Sequence, residues 1–161
     1  MDSGTDFLTH LDGEGRPRMV DVTGKGETAR KATASGVLRF SGRVPDLFSG
    51  GNPKGDPTAA AVIAGIQAAK RTPDLIPLCH PLSAGHVDVR VERSGERELR
   101  VTCTVSGTAR TGFEMEALTG AAVALLTLYD MTKAADRSMV IDGVRLTAKT
   151  GGRSGDRTEE S

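Results

Sequence analysis

Between residues 37 and 148 the spacing of apolar side chains switches from a period of two to the helical period and back, and the order of those switches leaves few folds open. Residues 37–40 are a short strand candidate. Asp56 and Pro57 then open a helix as N-cap and first helical residue, Ala59, Val62, Ile63, Ile66 and Ala69 follow at helical spacing, and Pro73 ends it. Val87, Val89 and Val91 alternate with Asp88, Arg90 and Glu92, and a Ser94-Gly95-Glu96 turn leads into Leu99, Val101, Cys103 and Val105. This predicts a hairpin with one wet face. Thr111-x-x-Glu114 fits a capping box for a second helix through Leu118, Ala121, Ala122, Leu125 and Leu128 to about residue 135, and Val144, Leu146 and Ala148 make a last strand. Strand, helix, strand, strand, helix, strand is the order of a ferredoxin-like βαββαβ sandwich, an α+β fold with a four-stranded antiparallel sheet and both helices on one face. Residues 121–126 are apolar around the whole helix, more than one sheet face can bury, which predicts a further packing partner in another subunit.

The chain is expected to be one domain over residues 1–161. Residues 1–35 and 150–161 are rich in Gly, Thr and charge and read as tails, most clearly 1–16 and 150–161, and 49–53 read as a flexible connector. Aromatics are only 3% and Trp is absent, so the core must come from Val, Ile, Leu and Ala, which favours help from subunit packing. Lys plus Arg equals Asp plus Glu at 21 each, leaving no net field to collect nucleic acid or anionic lipid; any anion site must be local. Residues 1–10 carry acids and no apolar leader core, and no run approaches the roughly 18 apolar residues of a membrane span. A cytoplasmic protein with reduced Cys79 and Cys103 is expected.

At 75–82 the chain reads Leu-Ile-Pro-Leu-Cys-His-Pro-Leu. Pro77 and Pro81 rule out helix and predict a stiff, extended segment whose apolar frame around Cys79 and His80 suits a pocket wall. Zinc usually takes ligands separated by two to four residues, so the adjacent Cys79 and His80, even with Glu114, His86 and Cys103 in reserve, argue against a metal site. Adjacent side chains on an extended segment point oppositely, which also argues against a thiol-imidazole nucleophile pair. Asp130 and Lys133 lie three residues apart on the line of Thr119, Val123 and Leu126; they read either as a solvated ion pair at a helix end or as an acid and an amine beside a cleft. Glu114 and Glu116 suit a helix start, and Lys54-Gly55 precedes a helix N-terminus that can hold an anion. Lys25, Lys54, Lys70, Lys133, Lys149 and Arg153 fall at or beside element ends, where several could converge on a polyanion. Residues 149–155 resemble a phosphate-wrapping loop in composition but lack the P-loop spacing.

In order along nearly the whole chain, Leu8-Thr9-His10, Met19-Val20-Asp21-Val22, Lys54-Gly55-Asp56, residues 63–72, the octapeptide, Thr111-Gly112-Phe113-Glu114-Met115-Glu116-Ala117-Leu118-Thr119, Tyr129-Asp130-Met131 with Lys133, and the glycine tail resemble the cyclic pyranopterin monophosphate synthase family of molybdenum cofactor biosynthesis. The resemblance implies a lyase that converts 3′,8-cyclo-7,8-dihydroguanosine 5′-triphosphate to cyclic pyranopterin monophosphate and pyrophosphate. It implies Asp130 and Lys133 as the acid-base centre, Lys54 as a second catalytic amine, and Leu78, Cys79, His80, Met115 and Glu116 as the wall of the base and sugar pocket. Lys70, Lys149 and Arg153 would take the phosphates, and Asp21 and Glu114 would support or contact the pterin. It also implies a hexamer, a trimer of dimers, with the site at a subunit interface and the octapeptide facing Asp130 and Lys133 across a pocket. No redox cofactor or metal-ligand set is expected, magnesium arriving, if at all, with the triphosphate. Three departures stand out: Thr132 where a cysteine is common, Pro53 and Pro57 around Lys54-Gly55-Asp56, and Arg153 for a frequent lysine. The alternative from another class is a non-catalytic, ferredoxin-like small-molecule sensor; RNA binding is disfavoured by the lack of exposed aromatics and of a basic strip.

Overall fold

The computed structural model describes residues 10–46, 52–152 and 155–158. Its elements are β1 (Thr28–Arg39), α1 (Pro57–Lys70), a single-turn α2 (Thr72–Leu75), β2 (His86–Gly95), β3 (Glu98–Ala109), α3 (Glu114–Thr132), β4 (Val140–Thr150) and a short β5 (Arg157–Thr158). The strands form one antiparallel sheet in the order β2-β3-β1-β4-β5. The first four strands and the two long helices are the expected ferredoxin-like βαββαβ sandwich, with β5 added on the β4 edge. Among the described residues no helix is long and apolar enough to cross a membrane.

Alternation sets the two faces of the sheet. Val89, Leu99, Val101, Cys103 and Val105 are buried toward the helices, while Asp88 and Arg90 pair with Thr104 and Thr102 on the open face. The hairpin turns at Glu96 and Arg97, two residues later than the glycine suggests, because Gly95 still pairs with Glu98 after a register shift. β1 is three times the length read from residues 37–40, and two thirds of it lies in the stretch that reads as a tail. Its inward residues there are Ala32 and Ala34, too small to register as an apolar period. Small residues are required under α3: a Cβ on Gly36 would stand 2.8 Å from Leu125 Cδ1. Arg157 and Thr158 likewise pair with Lys149 and Ala148 rather than trailing as a tail.

α1 begins as expected, with the Asp56 carboxylate accepting the Thr58 amide and Pro57 in the first turn. Pro73 lies within the first turn of α2 instead of terminating α1. α3 has no capping box: its N-cap is Phe113, with no side-chain cap, and it ends at Thr132 with Lys133 as C-cap. Phe113 is fully buried, so packing rather than a hydroxyl starts this helix.

α3 lies over β1, β3 and β4, and α1 over β2. The buried line of α1 is Ala61, Gly65, Ala68 and Ala69, rotated from the larger residues at helical spacing. The reason is the crossing with α3. A Cβ on Gly65 would meet Gly120 O at 2.9 Å, and one on Gly120 would meet Cys103 Sγ at 2.6 Å and Gly65 O at 3.1 Å. The helices touch backbone to backbone, and bulkier side chains turn outward: Ile63 and Leu126 are each 58% exposed. The groove between them is lined by Ala64, Gln67, Ala68, Leu75 and Val123. Gly120→Ala is expected to lower unfolding stability by about 1–3 kcal/mol through overpacking against Cys103 and Gly65, read from urea denaturation. A midpoint equal to that of the unsubstituted chain would show that the crossing has slack.

Candidate active site

Antiparallel packing of α1 on α3 puts the start of α1 beside the end of α3, and the end of α1 beside the start of α3. The candidate residues accordingly fall into two groups.

At the C-terminal end of α3, Lys133 Nζ is 2.7 Å from Asp130 Oδ1. Lys54 Nζ reaches the same carboxylate at Oδ2, 3.2 Å, and also donates to the Asp130 carbonyl at 3.0 Å. Hydrogen bonds from Lys133, then Lys54, hold the Asp130 carboxyl below its usual range. All three side chains are about half exposed. Lys54 is set there by the loop before α1. Asn52 Nδ2 donates to Met131 O at 3.0 Å, its Oδ1 accepts the Lys54 amide at 2.9 Å, and its carbonyl accepts the Gly55 amide at 3.0 Å. Gly55, at φ +93°, then turns the chain into α1. Helix ends leave carbonyls without intrahelical partners, and here the loop supplies partners to those of Asp130 and Met131. Of the stretch read as a connector, residues 49–51 lie outside the described residues, whereas Asn52 is an anchor. Nothing in the sequence period marks it; only an Asx-turn residue two places before a candidate lysine hints at it.

At the other end, the octapeptide is not extended throughout as expected: Leu75 is the last residue of α2, and the Cys79 amide, donating to Ile76 O at 3.0 Å, closes a turn after it. His80 Nε2 lies 2.7 Å from Val20 O, which ties the N-terminal segment to the octapeptide. Cys79 Sγ lies 3.9 Å from Glu116 Oε1, and burial, then the Glu116 charge, pushes its thiol up to about 11. A thiol so placed is no nucleophile at neutral pH. Glu116 is only 2% exposed; burial first, then Glu114, raises its carboxyl, and its Oε2 has no hydrogen-bond partner among the described residues. Met115 and Leu78 are partly exposed nearby in sequence. Glu114 meets Lys149 of β4 at 3.4 Å, and a Cβ on Gly112 would overlap the Glu114 carboxylate, so the glycine makes its room.

Lys70 is exposed at the end of α1, on this same side. The Asp21 carboxylate accepts the Thr23 amide and hydroxyl in a local turn, which lower its pKa, and it contacts neither group of candidates. Arg153 lies outside the described residues. Cys103 is fully buried beneath α3, its thiol pushed up to about 12 by burial, and has a packing role. Cys79, His80 and Glu114 each turn to a different partner and do not converge as metal ligands.

The sequence reading passes over Arg30, because it stands in the supposed tail. With Lys25 and Gly152 it lines a cleft of about 380 Å³. Its guanidinium donates to the carbonyls of Ala109 and Arg110 at 3.0 and 3.2 Å, just before α3 begins. Gly151 and Gly152 both have φ +86°, and a side chain on either would collide with Ala29 or Arg30. The glycines of the supposed C-terminal tail are thus packed against β1 and shape a cationic hollow.

Glu116 and Asp130 stand at opposite ends of α3, roughly 20 Å apart at 1.5 Å per residue. Within one chain the octapeptide therefore does not face Asp130 and Lys133 across a pocket.

The sequence profile of the MoaC family matches residues 19–152. A protein of Streptomyces coelicolor named cyclic pyranopterin monophosphate synthase is 55% identical over 154 residues, 95% of this chain and 90% of that protein. Proteins of the same name from Chloroflexus aggregans and Novosphingobium aromaticivorans are 52% and 55% identical, over 100% and 92% of this chain and 99% and 94% of theirs. With its fold, both end clusters and nearly its full length covered by that similarity, the chain belongs to the MoaC family.

Proposed function

We infer that this chain is a lyase of molybdenum cofactor biosynthesis that turns 3′,8-cyclo-7,8-dihydroguanosine 5′-triphosphate into cyclic pyranopterin monophosphate and pyrophosphate. The observation that carries the reading is the Asp130 carboxylate held by both Lys54 and Lys133, in a chain that matches proteins of that synthase's name over most of their length. A sensor would need neither amine on Asp130.

Opening and reclosing the rings moves protons, and forming the cyclic phosphate expels pyrophosphate. The first requires groups that give and take protons, the second charge neutralisation where the leaving group departs. Lys133, Lys54 and Asp130 supply the proton-transfer centre. Leu78, Cys79, His80, Met115 and Glu116 suit the base and sugar. Lys149 and Lys70, with Arg153, Lys25 and Arg30, suit the phosphates, and Asp21 and Glu114 support the pterin end. The scheme requires no redox cofactor, and magnesium enters only with the triphosphate.

The separation along α3 supports a site shared between subunits. A two-fold axis beside α3 and perpendicular to it would bring the Asp130 end of one copy to the Glu116 end of its partner, and would do so twice per dimer. Exposed Ile63 and Leu126 and the apolar groove between α1 and α3 offer a surface for such packing. We propose that such dimers assemble further into a hexamer, a trimer of dimers working in the cytoplasm.

The test is incubation with the cyclised triphosphate and assay for pyrophosphate and a pterin product. Lys133→Ala is expected to lower turnover by about 10²–10⁴-fold while leaving melting temperature and assembly as in the unsubstituted chain. Copies carrying Lys133→Ala mixed with copies carrying Glu116→Ala should regain activity that neither has alone. No recovery after verified subunit exchange would rule out a shared site.

Glu116 also links stability to pH. Its folded pKa is raised above the ordinary 4.5, so its contribution to stability is intact below about pH 4.5 and is lost as pH rises through the folded value. Glu116→Gln cannot ionise, so thermal unfolding followed against pH should show the variant gaining on the unsubstituted chain above that point. Parallel curves would show that the carboxyl is not buried in solution.

A further inference from the structure

The mechanism above needs the Lys54 amine at one place, yet Lys54 is about half exposed on a flexible four-carbon stem in a loop rather than a helix or strand. Something other than its own packing must fix it. Three bonds from one side chain and its carbonyl define the loop: Asn52 Nδ2 to Met131 O, Lys54 N to Asn52 Oδ1, and Gly55 N to Asn52 O. The last two close the backbone around Lys54, and Pro53 between them fixes its own φ. Only the first ties this turn to α3, and its acceptor is the carbonyl next after that of Asp130, to which Lys54 Nζ itself donates. The Asn52 amide and the Lys54 amine thus sit on consecutive free carbonyls at one helix end, spaced as the helix spaces them.

We propose that Asn52 is a positioning residue for Lys54: by clamping the turn to Met131 O it sets the amine against Asp130 in the geometry the reaction uses. The proposal rests on the reading that Lys54 is a catalytic amine of a pyrophosphate-releasing lyase. Asn52 bonds the Lys54 amide and Met131 O rather than the Asp130 carboxylate or the Lys133 amine, so its effect on the cluster is expected to pass through Lys54.

The test is a double-mutant cycle between Asn52→Ala and Lys54→Ala, with pyrophosphate release and the titration of the Asp130 carboxyl, followed by carbon NMR, as two readouts. Asn52→Ala is expected to lower kcat by about 10–100-fold, as displacement of a reacting group does, with KM changed by less than about twofold. It should also move the Asp130 titration up toward the ordinary aspartate value as Lys54 withdraws. In the Lys54→Ala background neither quantity should change further; the titration makes this readable even if Lys54→Ala is inactive. Asn52→Asp keeps the acceptor for the Lys54 amide but loses the donor to Met131 O, and should lose kcat as Asn52→Ala does. Full kcat in either variant, an effect confined to KM, or a further titration shift in the Lys54→Ala background would overturn the proposal. An unsubstituted chain that releases no pyrophosphate would instead sink the functional reading itself, and the inference with it.

Discussion

The rest of the architecture depends on the contact between Gly65 of α1 and Gly120 of α3, stacked over the Cys103 thiol. Because no side chain intervenes, the two helix backbones approach each other more closely than ordinary packing of large side chains allows, and the crossing point is fixed. Fixing it fixes which ends meet. The loop carrying Asn52 and Lys54 is delivered to the last turn of α3, and the octapeptide to its first. A looser contact between larger residues would let α1 slide along α3, and the Lys54 amine would lose its register on the Asp130 carbonyl.

The electrostatics of α3 follow from the same arrangement. Glu114 and Glu116 occupy its first turn, where the helix dipole favours negative charge, and Glu114 adds Lys149. Glu116 lies beyond what the dipole can offset: buried beside the Cys79 thiol, it is driven toward its neutral form. Asp130 stands at the wrong end for a carboxylate, opposed by the carbonyl dipoles of the last turn. Two amines answer it, one from the C-cap and one from the loop, and both also favour the negative end of the helix. The cluster is thus a local remedy for an unfavourably placed acid, and such a remedy puts two amines each about 3 Å from one carboxylate at the surface, within reach for proton transfer.

Much of this was legible in the sequence, and what was not has a common cause. Period and turn residues delivered β2, β3, both long helices and the topology, since each carries branched side chains at regular spacing. They failed where the packed residue is small or the anchor polar. Ala32 and Ala34 hide the first half of β1, Gly65 and Ala68 rotate the real interface of α1 away from Ile63, and Gly152 looks like a frayed end while it packs on Arg30. Thr111 looked like a cap, but Phe113 starts α3 by burial alone, a tertiary effect no local signal carries. For the site, the family resemblance singles out Asp130, Lys133, Lys54, Cys79, His80 and Glu116, which residue spacing alone left open. Their division between two ends of a helix was not legible, because sequence order says nothing of which helix ends meet until the crossing is known.

That division gives the exposed apolar residues a meaning they lack singly. Ile63 and Leu126 alone could be ordinary surface leucine and isoleucine, of which folded proteins carry many. They lie, however, on the two packed helices, and α3 carries an amine-acid cluster at one end and a buried carboxyl at the other. Within one chain the first lies open at the surface, and the second lies at the far end of α3 from it. An isologous contact across the helix layer would join the two ends by geometry alone, since a two-fold perpendicular to α3 exchanges them. The small-residue crossing that turns Ile63 outward thereby also provides the surface on which such a contact can form.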